Sequence, residues 1–161
     1  MVIVLMGVTG SGKTTVGGEL AADLGWAFFD GDAFHPPANV QKMSHGIPLT
    51  DADRKPWLEA IRARIDALRA DGRNAVIGCS ALKASYRDVL ANGAPEVRFV
   101  YLHGDAPLLA ERLRHRIGHF MDPALLASQL ATLEEPPGAV RVETALPVPA
   151  QVRRIREALG L

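Results

Sequence analysis

One stretch of the sequence has the residue types and the spacing of a phosphate-binding loop. Its residues match the pattern G-x-x-x-x-G-K-[S/T] at every position, and they are Gly7, Val8, Thr9, Gly10, Ser11, Gly12, Lys13 and Thr14. Small residues let backbone N–H groups turn toward a polyphosphate, and a helix that starts here adds partial positive charge. In this motif the lysine reaches the β- and γ-phosphates and the last hydroxyl ligates Mg²⁺. The stretch therefore predicts an ATP and Mg²⁺ site with Lys13 as a catalytic residue, Thr14 as a metal ligand and Thr15 as a further ATP contact.

Two carboxylates, Asp30 and Asp32, flank a glycine directly after a short apolar run. Beside a triphosphate with its metal, two acids have separate tasks. One holds Mg²⁺ through water, because magnesium gives up its hydration shell reluctantly, and the other accepts a proton from an attacking hydroxyl. We assign Asp30 to the metal and Asp32 to the hydroxyl. The alternative is an Asp-Gly turn with solvated acids.

Other polar side chains are candidates for holding the molecule that supplies this hydroxyl. Arg54 can bind a carboxylate with two parallel hydrogen bonds, although it could also be a solvated arginine at a helix start. Ser80, Lys83 and Arg87 follow an apolar run and could bind a polyhydroxylated anion. For Arg87 an ion pair with a nearby acid is an equal alternative. His35 has no cysteine or histidine partner at metal spacing, so zinc is not expected there.

A pair of arginines near the middle of the C-terminal half suggests a second group of nucleotide contacts. Arg112 and Arg116 are four residues apart on a predicted helix, where like charges are mildly destabilising unless an anion joins them. We expect Arg116 near the transferred phosphate, as a catalytic residue, and Arg112 near the adenine. Gly118 and Pro123 flank a segment that could close as a lid and exclude water.

The elements that must position these residues alternate between strands and helices. Apolar runs predict five strands at residues 2–6, 27–29, 75–78, 97–102 and 140–142. Helical spacing predicts helices that follow the phosphate loop, Pro37, Thr50, Ala84, Ala106 and Ala124. Val152, Ile155 and Leu159 mark a last helix. This alternation predicts an α/β fold with a parallel sheet covered on both faces. Ligands of such sheets bind at the carboxyl ends of the strands, where the candidate residues above are found.

Length, charge and cysteine content limit the class of protein. The 161 residues suit one domain, and 18 basic against 18 acidic side chains give no overall attraction to nucleic acid or membranes. The single cysteine favours a reducing compartment. We recognise neither a signal peptide nor a run of about 20 apolar residues, so a cytoplasmic protein is expected.

Several blocks together resemble the bacterial-type gluconate kinases in identity and in spacing. They are residues 7–14, 30–32, 35–36, 42–43, 46–49, 53–58, 79–83, 86–88, 118–120, 128–129 and 133–134. The resemblance implies a three-layer, nucleoside-monophosphate-kinase-like fold with a five-stranded parallel sheet, related to the shikimate kinases. It implies one domain, residues 1–161, with a lid at about 117–135, and often a homodimer. The implied reaction is transfer of a phosphoryl group from ATP to the 6-hydroxyl of D-gluconate, which gives 6-phospho-D-gluconate and ADP.

The resemblance also implies roles for individual residues. The substrate residues would be Asp32, His35, Arg54, Ser80, Lys83, Arg87, His119 and Gln129. Arg112 and Arg116 would bind the nucleotide. Two features depart from the pattern: Gly17 and Gly18 lie inside the first predicted helix, and the resemblance fades beyond residue 137. A kinase with another acceptor, such as shikimate, a nucleotide or another sugar acid, and a regulatory ATP-binding module are the two alternative functions.

Overall fold

The computed structural model describes residues 1–115 and 123–161, and these residues are arranged around one parallel sheet. The strands are β1 (Val2–Met6), β2 (Ala27–Asp30), β3 (Ala75–Gly78), β4 (Val97–His103) and β5 (Val140–Glu143). Their order across the sheet is β2-β3-β1-β4-β5, and every neighbouring pair is parallel. The predicted α/β fold with five strands is confirmed.

Seven α-helices accompany the strands in the described ranges. They are α1 (Lys13–Leu24), α2 (Pro37–Ser44), α3 (Asp51–Ala70), α4 (Ala84–Ala91), α5 (Ala106–Arg114), α6 (Pro123–Thr132) and α7 (Val148–Leu159). A short 3₁₀ turn, Gly31–Phe34, follows β2 and was not expected from the sequence. The predicted end of the fifth helix at Arg116 lies outside the described residues. None of the helices in residues 1–115 and 123–161 combines the length and the apolar character needed to cross a membrane.

The core lies on both faces of the sheet. All five residues of β1 are fully buried. Val2, Val4 and Met6 pack on the face covered by α3 and α4, whereas Ile3 and Leu5 pack on the face covered by α1 and α7. Burial on both faces explains why the central strand is a continuous apolar run without alternation.

The two glycines inside α1 have different explanations. A Cβ atom on Gly17 would lie 2.4 Å from the Phe28 ring and 3.1 Å from the Leu5 side chain, whereas nothing lies within 4 Å of one on Gly18. Gly17 therefore lets α1 pack closely on the sheet. Gly18 has no such packing reason.

Candidate active site

The phosphate loop connects β1 to α1 and turns on its glycines. Gly7, Gly10 and Gly12 have φ angles of 146°, 79° and 92°, which side chains rarely adopt. Gly12 is the N-cap of α1, and no side chain caps the helix there. The first backbone N–H groups of α1 are thus not used by a capping side chain, and a helix start of this kind attracts anions.

Lys13 folds back over the same loop. Its Nζ lies 3.0 Å from the carbonyl oxygen of Gly7 and 3.0 Å from that of Val8. Thr14 and Thr15 follow on the exposed first turn of α1. The ammonium group and the two hydroxyls are therefore at the loop where the motif predicts them.

The acid pair is held by a tight turn at the end of β2. Asp30 pairs with Gly78 of β3, and its Oδ1 accepts a hydrogen bond of 3.0 Å from the backbone N–H of Asp32. A Cβ atom on Gly31 would lie 2.4 Å from the Gly78 carbonyl oxygen, so only glycine lets the turn lie directly on the end of β3. Trp57 Nε1 donates a hydrogen bond of 2.8 Å to the Gly31 carbonyl. Both carboxylates stay exposed at the carboxyl edge of the sheet.

His35 is positioned by the same tryptophan. Its ring stacks on Trp57 with centroids 4.4 Å apart, and Asn39 Nδ2 lies 3.2 Å from its Nδ1. Asn39 also donates to the Asp53 carbonyl at 2.8 Å. Because an amide nitrogen can only donate, His35 Nδ1 accepts and Nε2 carries the proton. Burial lowers the pKa of His35, although nearby Asp32 acts in the opposite direction, so the ring is a neutral donor at neutral pH.

Arg54 and Lys83, which are far apart in the sequence, meet beside one tyrosine. Arg54 Nη1 lies 3.2 Å from the Tyr86 hydroxyl, and that hydroxyl donates to the Asp51 carboxylate. Lys83 Nζ lies 2.9 and 3.0 Å from the two oxygens of Asp51. The Tyr86 hydrogen bond, followed by that of Lys83, lowers the pKa of Asp51. These contacts join the starts of α3 and α4 and bring two cations to one place.

Ser80 and Arg87 take different positions. The Ser80 carbonyl accepts a hydrogen bond of 3.3 Å from the Gly7 N–H, so this residue adjoins the phosphate loop. Arg87 is only 7% exposed, and its Nη1 donates to the carbonyl oxygens of Ala81 and Leu82 at 2.9 and 3.1 Å. Burial lowers the pKa of Arg87. The buried guanidinium thus supports the loop before α4, and the expected substrate contact of Arg87 stays a prediction.

Arg112 joins α5 to the segment after β5. It donates to the carbonyl of the buried Thr144, whose N–H donates to the His103 carbonyl at 2.7 Å. Gln151 Nε2 donates to the Leu146 carbonyl at 2.8 Å in the same segment. Arg112 thus lies at the carboxyl ends of β4 and β5. The segment that it contacts after β5 belongs to the part of the chain where the sequence resemblance fades.

Gln129 of α6 contacts the phosphate loop. Its Oε1 accepts a hydrogen bond of 2.7 Å from the Thr9 backbone N–H, although 120 residues separate the two. This contact was not expected, because the resemblance implied that Gln129 binds substrate. Arg116 and His119, the other predicted residues of this region, lie outside the described residues.

Sequence reasoning underestimated three residues that support the site. Trp57 is a buried core residue that also donates a hydrogen bond to the turn carrying the two acids and stacks on His35. Asn39 lay outside every motif and Tyr86 lay in a resembling block without an assigned role, and their long-range hydrogen bonds show what each contacts. A buried polar residue on a short helix, such as Asn39, shows no sequence signal that separates it from a surface asparagine.

The donors at the site fit magnesium better than a metal bound by protein alone. Within residues 1–115 and 123–161, no three His, Cys, Asp or Glu side chains converge as a metal site. Magnesium beside a triphosphate needs only one or two protein oxygens, since phosphate and water supply the others. The Thr14 hydroxyl and the Asp30 carboxylate are oxygen donors of this kind, and both are exposed.

Comparisons with known proteins agree with this arrangement. A family model described as an AAA domain matches residues 2–136. A gluconokinase from Gluconobacter oxydans is 54% identical over 134 residues, which cover 83% of this chain and 75% of that protein. The chain belongs to the gluconokinase family.

Solved structures extend the agreement to the backbone. A gluconokinase from Sinorhizobium meliloti superposes with a TM-score of 0.89 at 51% identity, and the match covers 98% of this chain and 90% of that one. A shikimate kinase from Aquifex aeolicus covers 99% of this chain and 96% of its own at a TM-score of 0.62 and 19% identity, which shows a shared fold alone. The expected structural relation to shikimate kinases is confirmed.

Proposed function

We propose that this protein is a gluconokinase, which transfers the γ-phosphoryl group of ATP to the 6-hydroxyl of D-gluconate and yields 6-phospho-D-gluconate and ADP. The observation that carries the proposal is the 54% identity to a gluconokinase over 83% of the chain. The site is consistent with it, because the phosphate loop and the acid turn lie at the same edge of the sheet. An acceptor between them would meet the end of a bound triphosphate.

On the nucleotide side, backbone N–H groups supply most of the contacts to ATP. Residues 7–15 surround the phosphates, with the uncapped first N–H groups of α1 directed at them, Lys13 exchanges its carbonyl contacts for phosphate oxygens, and Arg112 lies on the adenine side. Thr14 and Asp30 would hold Mg²⁺, Asp30 through water. When bound, the metal neutralises charge on the β- and γ-phosphates.

On the acceptor side, Asp32 orients the 6-hydroxyl and accepts its proton. As the new bond forms between that oxygen and phosphorus, the bond to the β–γ bridging oxygen breaks and ADP leaves. His35 donates from Nε2, and Ser80, Arg54 and Lys83 bind the hydroxyls and the carboxylate of gluconate. Two cations near one another suit a sugar acid better than a neutral sugar.

Some features remain predictions from the sequence and the resemblance. These are the roles of Arg116 and His119, closure of residues 117–135 as a lid of the single domain, a homodimer, and a cytoplasmic location. The lid would keep water from the transferred phosphoryl group, because a kinase that admits water hydrolyses ATP.

An assay of ADP release over a panel of acceptors tests the proposal. The panel contains D-gluconate, other sugar acids, shikimate, a nucleoside monophosphate and buffer alone. We expect rapid ADP release with gluconate and little in buffer. A preference for another acceptor would reassign the substrate, and equal hydrolysis without any acceptor would favour the regulatory ATP-binding module.

A further inference from the structure

One helix contacts both halves of the site. Four residues from different segments form a small apolar cluster, with Leu126 of α6 packed against Val8 of the phosphate loop, Leu82 of the loop before α4, and Leu109 of α5. All four side chains are at most 5% exposed. Helix α6 is therefore packed where the phosphate loop and the loop before α4 come together.

A hydrogen bond fixes the middle of α6 to the nucleotide side. The Thr9 N–H is bonded to Gln129 Oε1 at 2.7 Å. Because this hydrogen bond ends on a backbone N–H of the phosphate loop, the Gln129 side chain helps to set the conformation of that loop. This role stands beside the direct contact with gluconate that the resemblance implied, which stays a prediction.

Two hydrogen bonds fix the segment after α6 to the acceptor side. The Glu134 N–H donates to the Leu82 carbonyl at 2.8 Å, and its Oε2 accepts from the Ala84 N–H at 2.7 Å. Ala84 is the first residue of α4, so the carboxylate also complements the positive end of that helix. Lys83, which lies between these two anchor points, is one of the proposed gluconate contacts.

We propose that residues 123–134 act as a strut that makes the binding of ATP and gluconate mutually dependent, with Gln129 and Glu134 as its positioning residues. This inference rests on the proposed function. A ligand that orders one loop reduces the conformational entropy that the other ligand must remove, because both loops share the strut. By linkage, each ligand raises the affinity for the other by the same factor.

The test is calorimetric titration with a non-hydrolysable ATP analogue and Mg²⁺, with and without saturating gluconate. For the wild-type protein we expect gluconate to tighten binding of the analogue by about fivefold or more. In Gln129→Met, which keeps the volume but removes the acceptor oxygen, this factor should fall close to one. Ser128→Ala, an exposed neighbour on the same helix, is the matched control and should keep the wild-type factor.

Glu134 provides a second, graded comparison. Glu134→Gln keeps an oxygen that can accept from the Ala84 N–H and should retain most of the mutual dependence, whereas Glu134→Met should lose it. A residue with only a structural role would lower the melting temperature of the free protein and leave the affinity ratio unchanged.

The outcomes separate the two proposals. Wild-type protein that phosphorylates gluconate but binds the analogue equally with and without it would overturn the strut. So would a Gln129→Met variant with the wild-type ratio, or one that loses gluconate affinity while analogue binding keeps its full response to gluconate. Wild-type protein without gluconate-dependent ADP release would instead overturn the proposed function.

Discussion

The phosphate loop and the acceptor side of the site are built in opposite ways. The loop is one contiguous segment between a fully buried strand and a helix, and it presents backbone N–H groups. The acceptor side combines the 3₁₀ turn, α2, the start of α3 and the loop before α4, and side chains join them, such as Trp57 to Gly31 and Lys83 to Asp51. Backbone recognition depends on local conformation, whereas recognition by assembled side chains depends on the whole fold. Substitutions on the two sides should therefore change different properties of the protein.

The largest expected effect is on the nucleotide side, from Lys13→Met. Removal of the only charged side chain of the loop should lower kcat by about 10³-fold, because the charge on the transferred phosphoryl group loses its partner. The fold should be little affected, since Lys13 lies over the phosphate loop, where its Nζ contacts the carbonyl oxygens of Gly7 and Val8. Steady-state ADP release measures kcat, and Lys55→Met on an exposed position of α3 is the control. A kcat within tenfold of wild type would contradict the role of Lys13.

Asp32→Asn tests the acceptor side without disturbing the nucleotide side. We expect kcat to fall by at least about 100-fold, because the amide cannot take the hydroxyl proton. Binding of the ATP analogue, measured by calorimetry, should stay nearly intact. Asp71→Asn, an exposed acid at the far end of α3, is the control. Wild-type turnover in Asp32→Asn would remove this residue from the mechanism.

Trp57→Phe should weaken the assembly of the acceptor side. The variant loses the hydrogen bond to Gly31 and leaves a buried carbonyl unpaired, which should lower the free energy of unfolding by about 1–3 kcal/mol. The acid turn and His35 lose their support, so KM for gluconate should rise more than KM for ATP. Urea unfolding and initial rates measure both quantities.

Trp26→Phe is the matched control for that experiment, because Trp26 packs against the cluster on the opposite face of the sheet. It should leave KM for gluconate unchanged. Equal KM changes in the two tryptophan variants would show that the acceptor side does not depend on Trp57 in particular.

The smallest effect concerns pH and the start of α3. The hydrogen bond from Lys42, followed by that from the Thr50 backbone, lowers the pKa of Asp53 from 3.8 to about 2. Because the folded pKa is below the unfolded one, the stabilisation is complete above 3.8 and is lost as the pH falls toward 2. The melting temperature of Asp53→Asn should lie below that of wild type at neutral pH, and the gap should close in this acid range.

Lys42→Met sharpens the pH experiment. It removes the main cause of the lowered pKa, so the carboxyl group of Asp53 should titrate at higher pH, as NMR of the carboxyl carbon can follow. An unchanged titration of Asp53 in Lys42→Met would contradict the assignment to Lys42.

Much of the local structure could be predicted because its signals are local. A helix was predicted to follow Thr50 and does, and Thr50 and Asp53 form a capping box at its start, with hydrogen bonds of 3.1 and 2.9 Å. The strands were predicted because burial on both faces leaves continuous apolar runs. The glycine pair in α1 could not be interpreted from the sequence, because only the position of Phe28 distinguishes Gly17 from Gly18.

In the candidate site, too, the features set by local sequence could be predicted and those set by long-range contacts could not. A buried arginine and an exposed one look alike in a sequence, so the carbonyl contacts of Arg87 could not be anticipated. The bond between Gln129 and Thr9 joins residues 120 positions apart, and no spacing rule reaches that far.

The sequence by itself determined the phosphate loop, the order of strands and helices along the chain, and the acids at the end of β2, because each depends on neighbours along the chain. Only the tertiary structure decided which side chains meet: Trp57 with Gly31, Arg54 with Tyr86, and Gln129 with Thr9. The physical reason is that backbone conformation responds to adjacent residues, whereas a hydrogen bond between distant side chains exists only after the sheet has brought their segments together.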